Sequence, residues 1–300
     1  MPDSGGFSDF FYSSSDGLKL HARVYGAADP DRWPVVCLPG LSRNARDFHL
    51  LAHRLAHRAA IPRRVVAFDY RGRGQSQYDA DIANYTVVKE ADDVLAGLAA
   101  LDIAEAAFVG TSRGGLIVHV LGALRPSVLK AVVLNDIGPA IEADGLRHIA
   151  AYLGKAPQPC SRNEAIAAQK AAHGADFPAL AEEDWANMVD AIYRSEDEGL
   201  VPDFDPKLAE TLAGVDFSQP LPTLWPQFDA LRDIPMLAIR GAKSRLLSPA
   251  TLEEMARRHP NLKTLTVDGQ GHAPFLETGA LPDAIADFID GAEYRDTPRS

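Results

Sequence analysis

The chain has 300 residues, 46% hydrophobic and 24% charged, which is an ordinary globular composition with enough apolar material for a sizeable core. Its 30 basic and 41 acidic residues give a net charge of −11, and a surface of that sign repels nucleic acid and anionic membranes. The two cysteines, Cys37 and Cys160, show no spacing typical of a disulfide framework or a metal site, and no cofactor is implied. Without a signal-peptide pattern or an apolar run of about 18 residues, we expect a cytoplasmic monomer or homodimer.

Short apolar runs alternate with amphipathic segments, a pattern typical of βαβ units and a largely parallel sheet. The first two strands, residues 7–13 and 18–25, are predicted to be antiparallel and to turn at Asp16-Gly17. Six buried strands are predicted at residues 35–38, 65–68, 107–110, 131–134, 236–240 and 264–267. These are continuous apolar runs, as expected where helices cover both faces of a sheet. The sequence therefore predicts a mostly parallel eight-stranded sheet.

Helices are predicted between the strands, at residues 44–58, 113–125, 249–259 and 281–290. The alternation stops between about residues 139 and 232, where the sequence has several prolines, no convincing strand and at least three helical stretches. The clearest of these is 182–194. We therefore predict an α/β core formed by residues 1–138 and 233–300, and a helical cap, residues 139–232, inserted between two strands.

The third buried strand runs directly into Gly110-Thr111-Ser112-Arg113-Gly114 and then into a helix. This is the G-x-S-x-G pattern in its strand–turn–helix context, where glycines relieve clashes in a tight turn and the serine Oγ stands above the sheet edge. The helix N-terminus favours negative charge that develops nearby. We predict that Ser112 is a nucleophile; the alternative is a glycine-rich turn with a solvent-facing serine.

Two further loops could complete a site for acyl transfer. Leu38-Pro39-Gly40-Leu41 ends an earlier strand, and an oxyanion needs two fixed N–H donors, here the amides of Leu41 and Arg113. Gly269-Gln270-Gly271-His272-Ala273-Pro274 follows the last strand, so His272 can reach over the sheet edge and act as the base. Read alone, the first loop has a simple Pro-Gly turn as its alternative.

Taken in chain order, these motifs resemble the α/β-hydrolase family, in its capped, lipase/esterase-like branch. The matching stretches are Leu38-Pro39-Gly40, Asp69-Tyr70-Arg71-Gly72-Arg73-Gly74-Gln75-Ser76, Gly110-Thr111-Ser112-Arg113-Gly114-Gly115 and Gly271-His272-Ala273-Pro274. The resemblance implies the α/β-hydrolase fold, a serine nucleophile and a histidine oriented by an acid. It also implies that residues 69–76 brace the oxyanion loop. Pro39 stands where many relatives have histidine.

The acid departs from the family pattern. It usually follows the strand at 236–240, but residues 241–248 contain no carboxylate and Arg245 stands in its place. In haloalkane-dehalogenase-like members the acid lies one strand earlier, and there this chain has Asn135-Asp136. The resemblance therefore implies Asp136 as the acid. The main alternative is that Asp136 only caps the loop into Gly138-Pro139, and the other candidate acids are Glu142, Asp144 and Asp268. The chain order of nucleophile, acid and histidine is kept.

The predicted cap would form a pocket over the serine, and its apolar side chains are candidates to line it: Trp185, Met188, Tyr193, Trp225 and Phe228. The expected activity is hydrolysis of a small carboxylic ester or lactone through an acyl-enzyme intermediate, without a metal. The alternatives are a C–C bond hydrolase with the same triad, a perhydrolase or an amidase. A non-catalytic ligand-binding protein on the same fold is the other possibility, which the missing loop acid favours.

Overall fold

The structure is a computed structural model that describes residues 6–153, 159–197 and 199–296. Parts of the predicted core and cap, residues 1–5, 154–158, 198 and 297–300, lie outside the described residues. The strands within the described ranges are β1 Phe7–Ser13, β2 Lys19–Tyr25, β3 Val35–Leu38, β4 Val65–Asp69, β5 Ala106–Thr111, β6 Leu129–Asn135, β7 Tyr193–Glu196, β8 Gly199–Pro202, β9 Met236–Gly241 and β10 Leu262–Val267. The α-helices are α1 His49–His57, α2 Val87–Ala100, α3 Arg113–Leu124, α4 Ala143–Leu153, α5 Arg162–His173, α6 Glu182–Ile192, α7 Glu210–Ala213, α8 Trp225–Ala230, α9 Pro249–Arg258 and α10 Leu281–Asp296.

Eight of the described strands form one sheet, in the order β1-β2-β4-β3-β5-β6-β9-β10. The pairs β1–β2 and β2–β4 are antiparallel. The other neighbouring pairs of this sheet, β4–β3, β3–β5, β5–β6, β6–β9 and β9–β10, are parallel. Gly110 at the end of β5 pairs with Leu38 on one side and Leu134 on the other. The loops that follow β3, β5 and β6 therefore leave the same edge of the sheet side by side.

Helices cover both faces of the sheet because alternate residues of each buried strand point to opposite sides. On one face Leu38, Phe108 and Leu134 pack in a core that also contains side chains from α2, α3 and α9. On the other face Cys37 and Val109 pack in a second core, with α1 and α10. No helix among the described residues is long and apolar enough to cross a membrane.

The inserted segment, residues 139–232, leaves the sheet after β6 and returns to it at β9. It contains α4 to α8, but the expectation that it has no strand is wrong, because β7 and β8 form an antiparallel hairpin. The predicted helix at 182–194 ends at Ile192, where the backbone of Tyr193 becomes extended. The two strands are short and carry polar residues on β7, so they give little apolar signal. The division of the chain into a core and a cap stays a prediction.

Candidate active site

Ser112 lies in a sharp turn between β5 and α3. Its backbone φ and ψ are 51° and −114°, a conformation that costs a non-glycine residue energy and is found mostly at functional sites. A Cβ added to Gly110 would lie 2.7 Å from the carbonyl carbon of Gly114, and one added to Gly114 would lie 2.1 Å from the carbonyl oxygen of Leu38. The turn therefore requires glycine at both positions.

The structure brings Ser112, His272 and Asp136 into contact. His272 Nε2 lies 2.9 Å from Ser112 Oγ, and His272 Nδ1 lies 2.8 Å from Asp136 Oδ2. Asn135 Nδ2 donates to the carbonyl oxygen of Pro274 at 2.9 Å, which ties the histidine loop to β6. The Asp136 side chain is fully buried, whereas 16% of the His272 side chain is exposed. The three side chains form one hydrogen-bonded chain that ends at an accessible hydroxyl.

The loop after β9 holds the carboxylate of Asp136, although it supplies no acid of its own. The Gly241 N–H donates to Asp136 Oδ1 at 2.8 Å, and Ser244 Oγ donates to Oδ2 at 2.5 Å. The Asp136 N–H donates in turn to the carbonyl oxygen of Ile239 at 2.7 Å. Arg245 points away, with 59% of its side chain exposed and Asp176 at 3.3 Å. Sequence reasoning missed Gly241 and Ser244 as donors, because the pattern sought there was a carboxylate.

The two predicted oxyanion donors are Leu41 and Arg113. Leu41 lines the same cavity as Ser112, described below, and its carbonyl oxygen accepts a hydrogen bond from Arg73 Nε at 2.8 Å. Arg113 is the first residue of α3, so its N–H belongs to the first turn, whose donors have no partner within the helix. The contact of Arg73 with Leu41 is the bracing that the family resemblance implies.

A buried acid that sequence reasoning missed lies beneath this loop. Glu90 on α2 accepts hydrogen bonds from Arg73 Nη1 at 2.8 Å and Arg113 Nε at 2.5 Å. Burial alone would raise the pKa of Glu90, but the two guanidinium groups hold the pKa below its usual value. Glu90 therefore stays charged and holds the Arg113 side chain, whose Nη2 donates to the carbonyl oxygen of Tyr85 at 3.0 Å. No local motif marks it, since it lies in an ordinary amphipathic helix.

A cavity of about 480 Å³ opens over Ser112 and His272. The inserted segment supplies much of its wall, including Met188 and Tyr193 as predicted, together with the following residues: Ile149, Tyr152, Leu153, Gln169, His173, Phe177 and Phe204.

Three of the predicted pocket residues do not line this cavity. Trp185 packs behind the wall, with its ring 6.4 Å from that of Phe177. Trp225 packs edge-to-face against Phe228, and Phe228 is fully buried against His259. The prediction for these three residues is corrected: their apolar side chains fill the core, which the sequence pattern cannot distinguish from a pocket wall.

The cavity has a polar side that sequence reasoning did not foresee. Arg43, Asp47 and Glu277 all contribute to its lining. Burial, together with the charge of Asp47, raises the pKa of Glu277 to about 7. Among the described residues, no three His, Cys, Asp or Glu side chains are grouped so that they could hold a metal ion. The cavity therefore combines Ser112 and His272 with charged side chains of both signs, among them Arg43, Asp47 and Glu277.

Comparison with known proteins agrees with this architecture. The family model for the alpha/beta hydrolase family matches residues 35–288. The 3-hydroxybutyrate-oligomer hydrolase of Cupriavidus necator is 32% identical over 287 residues, which cover 91% of this chain and 94% of that protein. The 2-(acetamidomethylene)succinate hydrolase of Mesorhizobium japonicum is 30% identical over 255 residues, which cover 84% and 86%. The crystal structure of an alpha/beta hydrolase from Novosphingobium aromaticivorans, 37% identical, superposes with a TM-score of 0.87 and covers 95% of this chain and 98% of that one.

Proposed function

Because the chain belongs to the alpha/beta hydrolase family, we propose that it cleaves a small carboxylic ester or lactone through an acyl-enzyme intermediate on Ser112. The predicted fold and the prediction of an enzyme are confirmed by this membership and by relatives named as hydrolases. The observation that carries the proposal is the continuous chain Ser112 Oγ, His272 Nε2, His272 Nδ1 and Asp136 Oδ2, with contacts of 2.9 and 2.8 Å.

In the proposed mechanism His272 Nε2 accepts the proton of Ser112 as Oγ attacks the substrate carbonyl. The N–H groups of Leu41 and Arg113 donate to the oxyanion that forms. The buried carboxylate of Asp136 holds the imidazole and stabilises its protonated form. His272 then gives its proton to the leaving alcohol, and in the second half of the reaction it removes a proton from the water that releases the acid.

The choice of an ester rests on the chemistry of the site and on one relative. A serine activated by a neutral histidine and faced by N–H donors suits attack on an acyl carbonyl. The relative from Cupriavidus necator is named for the hydrolysis of 3-hydroxybutyrate oligomers, and hydroxy-acid units in an oligomer are joined by ester bonds. The cavity of about 480 Å³ falls within the usual size range of small-molecule sites.

A fluorophosphonate probe and a panel of 4-nitrophenyl esters and lactones test the proposal. We expect covalent labelling of the wild-type protein at Ser112, and turnover of at least one compound. Ser112→Ala should lower kcat by about 10⁶-fold, by analogy with other serine hydrolases, and should abolish labelling. Circular dichroism serves as the control for folding. Full turnover in purified Ser112→Ala would refute the nucleophile, and cleavage of a β-diketone but of no ester would favour the C–C bond hydrolase instead.

A further inference from the structure

The first observation is the position of Arg43 relative to the nucleophile. Arg43 lies in the loop after β3 and lines the same cavity as Ser112. Both side chains lie near Gly40: a Cβ added there would lie 3.5 Å from Arg43 Cγ and 3.9 Å from Ser112 Cβ. The guanidinium group therefore shares the chamber in which the ester would be attacked.

The second observation is how Arg43 is held. Arg43 Nε lies 2.9 and 2.8 Å from the two carboxylate oxygens of Asp47, and Nη2 lies 2.5 Å from Oδ1. In the part of the chain that the structure describes, no residue accepts a hydrogen bond from Nη1. The side chain is 24% exposed, so the group remains within reach of a ligand. Asp47 thus fixes the Nε–Nη2 edge of the planar guanidinium group, while Nη1 keeps N–H donors that can bind a ligand.

The other arginines of the cavity wall are occupied differently. Arg46 pairs with Asp203 at 2.7 Å and donates through Nη2 to the carbonyl oxygens of Ala191 and Tyr193. Arg23 lies over the ring of Phe7, 4.2 Å from its centroid. Of these three arginines, Arg43 is the one whose placement offers an oriented charge beside Ser112.

The third observation concerns the acids that face Arg43. Asp47 neutralises part of its charge, and Glu277 lies in the same cavity. Burial raises the pKa of Glu277 to about 7, with the charge of Asp47 adding to the shift and Arg43 opposing it. Asp184 contributes a further, smaller repulsion. At neutral pH Glu277 is therefore only partly ionised, and it opposes an anion at Arg43 less than a fully ionised carboxylate would.

We propose that Arg43 binds a free carboxylate of the substrate through Nη1, so that the enzyme is selective for esters that carry a second, ionised carboxyl group. This inference rests on the proposed ester hydrolysis and adds its substrate class. The substrate carboxylate would accept hydrogen bonds from Nη1, while Asp47, bound to Nε and Nη2, keeps the guanidinium plane in place. A charge-assisted hydrogen bond of this kind strengthens binding by about 10- to 100-fold.

Matched ester pairs test the proposal. Mono-4-nitrophenyl glutarate and 4-nitrophenyl pentanoate differ in a carboxylate on the acyl side, and 4-acetoxybutanoate and butyl acetate differ in one on the alcohol side. In at least one pair we expect kcat/KM to be about 10- to 100-fold higher for the acid member. Arg43→Gln should reduce this ratio to about one, chiefly by raising KM for the acid member, and Arg43→Lys should restore part of it. Arg245→Ala removes an exposed cation outside the cavity and should leave the ratio unchanged.

Asp47→Asn provides a test of opposite sign that does not depend on the folding of Arg43→Gln. Removing the neighbouring negative charge should raise the preference for the acid member and tighten competitive inhibition by glutarate. Equal kcat/KM within both wild-type pairs, or a ratio that Arg43→Gln leaves intact, would overturn the carboxylate site while ester hydrolysis stands. If the panel and these pairs show no turnover that depends on Ser112, the proposed function and this inference fail together.

Discussion

The amide of an Asp136→Asn variant would have a defined orientation, because the donors around the carboxylate are fixed. The Gly241 N–H points at Oδ1 from 2.8 Å, so the amide oxygen would take that position and keep this bond. The NH₂ group would then replace Oδ2, 2.8 Å from His272 Nδ1. It can only donate there, so Nδ1 must become the acceptor and the ring proton must move to Nε2.

That tautomer cannot accept the proton of Ser112, because Nε2 is already protonated. The expected loss is therefore that of a wrong tautomer, about 10⁴-fold in kcat, which corresponds to about 5.4 kcal/mol of transition-state stabilisation. The fold should survive, since the substitution is isosteric and the Gly241 bond is kept. Ser244→Ala is the matched control: it removes one donor to Oδ2 without changing the tautomer, so it should cost about tenfold or less.

Steady-state hydrolysis of a 4-nitrophenyl ester measures the loss, and the rate of fluorophosphonate labelling measures the nucleophilicity of Ser112 independently of deacylation. Both should fall together in Asp136→Asn, with an unchanged circular dichroism spectrum. Near-normal kcat in Asp136→Asn, or a larger loss in Ser244→Ala than in Asp136→Asn, would refute the role of Asp136 as the acid.

Two further outcomes are expected. Gly114→Ala should lower the free energy of unfolding in urea by more than about 2 kcal/mol, because its Cβ would lie 2.1 Å from the carbonyl oxygen of Leu38. The control is Gly291→Ala in α10, which should be neutral or stabilising because nothing lies within 4 Å of the added Cβ. Equal effects of the two substitutions would contradict this reasoning. Folding raises the pKa of Glu277 from 4.5 to about 7, so the protonated carboxyl group contributes to the free energy of unfolding below pH 4.5. This contribution, at most about 3 kcal/mol, is lost as the pH rises to 7. Urea midpoints at pH 5 and 8 should therefore differ less in Glu277→Gln than in the wild type.

The parts of the molecule that could be predicted from the sequence are those with local signals. The eight strands of the main sheet and the turn at Ser112 follow from apolar runs and from the glycines of the G-x-S-x-G pattern, whereas β7 and β8 gave no such signal. Asp136 was implied by the resemblance to haloalkane-dehalogenase-like members, and it lies 2.8 Å from His272. The catalytic roles of these residues stay predictions until they are measured.

The parts that could not be predicted depend on contacts between distant segments. The polar side of the cavity is one example, because nothing near Arg43 in the chain shows that its guanidinium group faces the cavity rather than solvent. Trp225 and Phe228 fail as pocket residues for the opposite reason, since an aromatic side chain serves a core and a cavity wall equally well. Ser244 is recognisable as a partner of Asp136 only once β6 and β9 are known to be neighbours.

The same contacts between β6 and β9 have a mechanical consequence. The inserted segment begins at residue 139, three residues after Asp136, and its ends are joined where the Leu224 N–H donates to the carbonyl oxygen of Pro139 at 2.7 Å. Asp136 itself is clamped to β9 and its loop by its N–H and by both carboxylate oxygens. The segment also contacts the loop that carries the base, because the Ala179 N–H donates to the carbonyl oxygen of Gly269 at 3.2 Å and the ring of Phe177 lies 5.7 Å from that of Phe275. A displacement of the segment would therefore act on the position of His272, while the three bonds of Asp136 hold the acid. Substitutions at Phe177 in the cavity wall should thus change the placement of the base as well as the shape of the cavity.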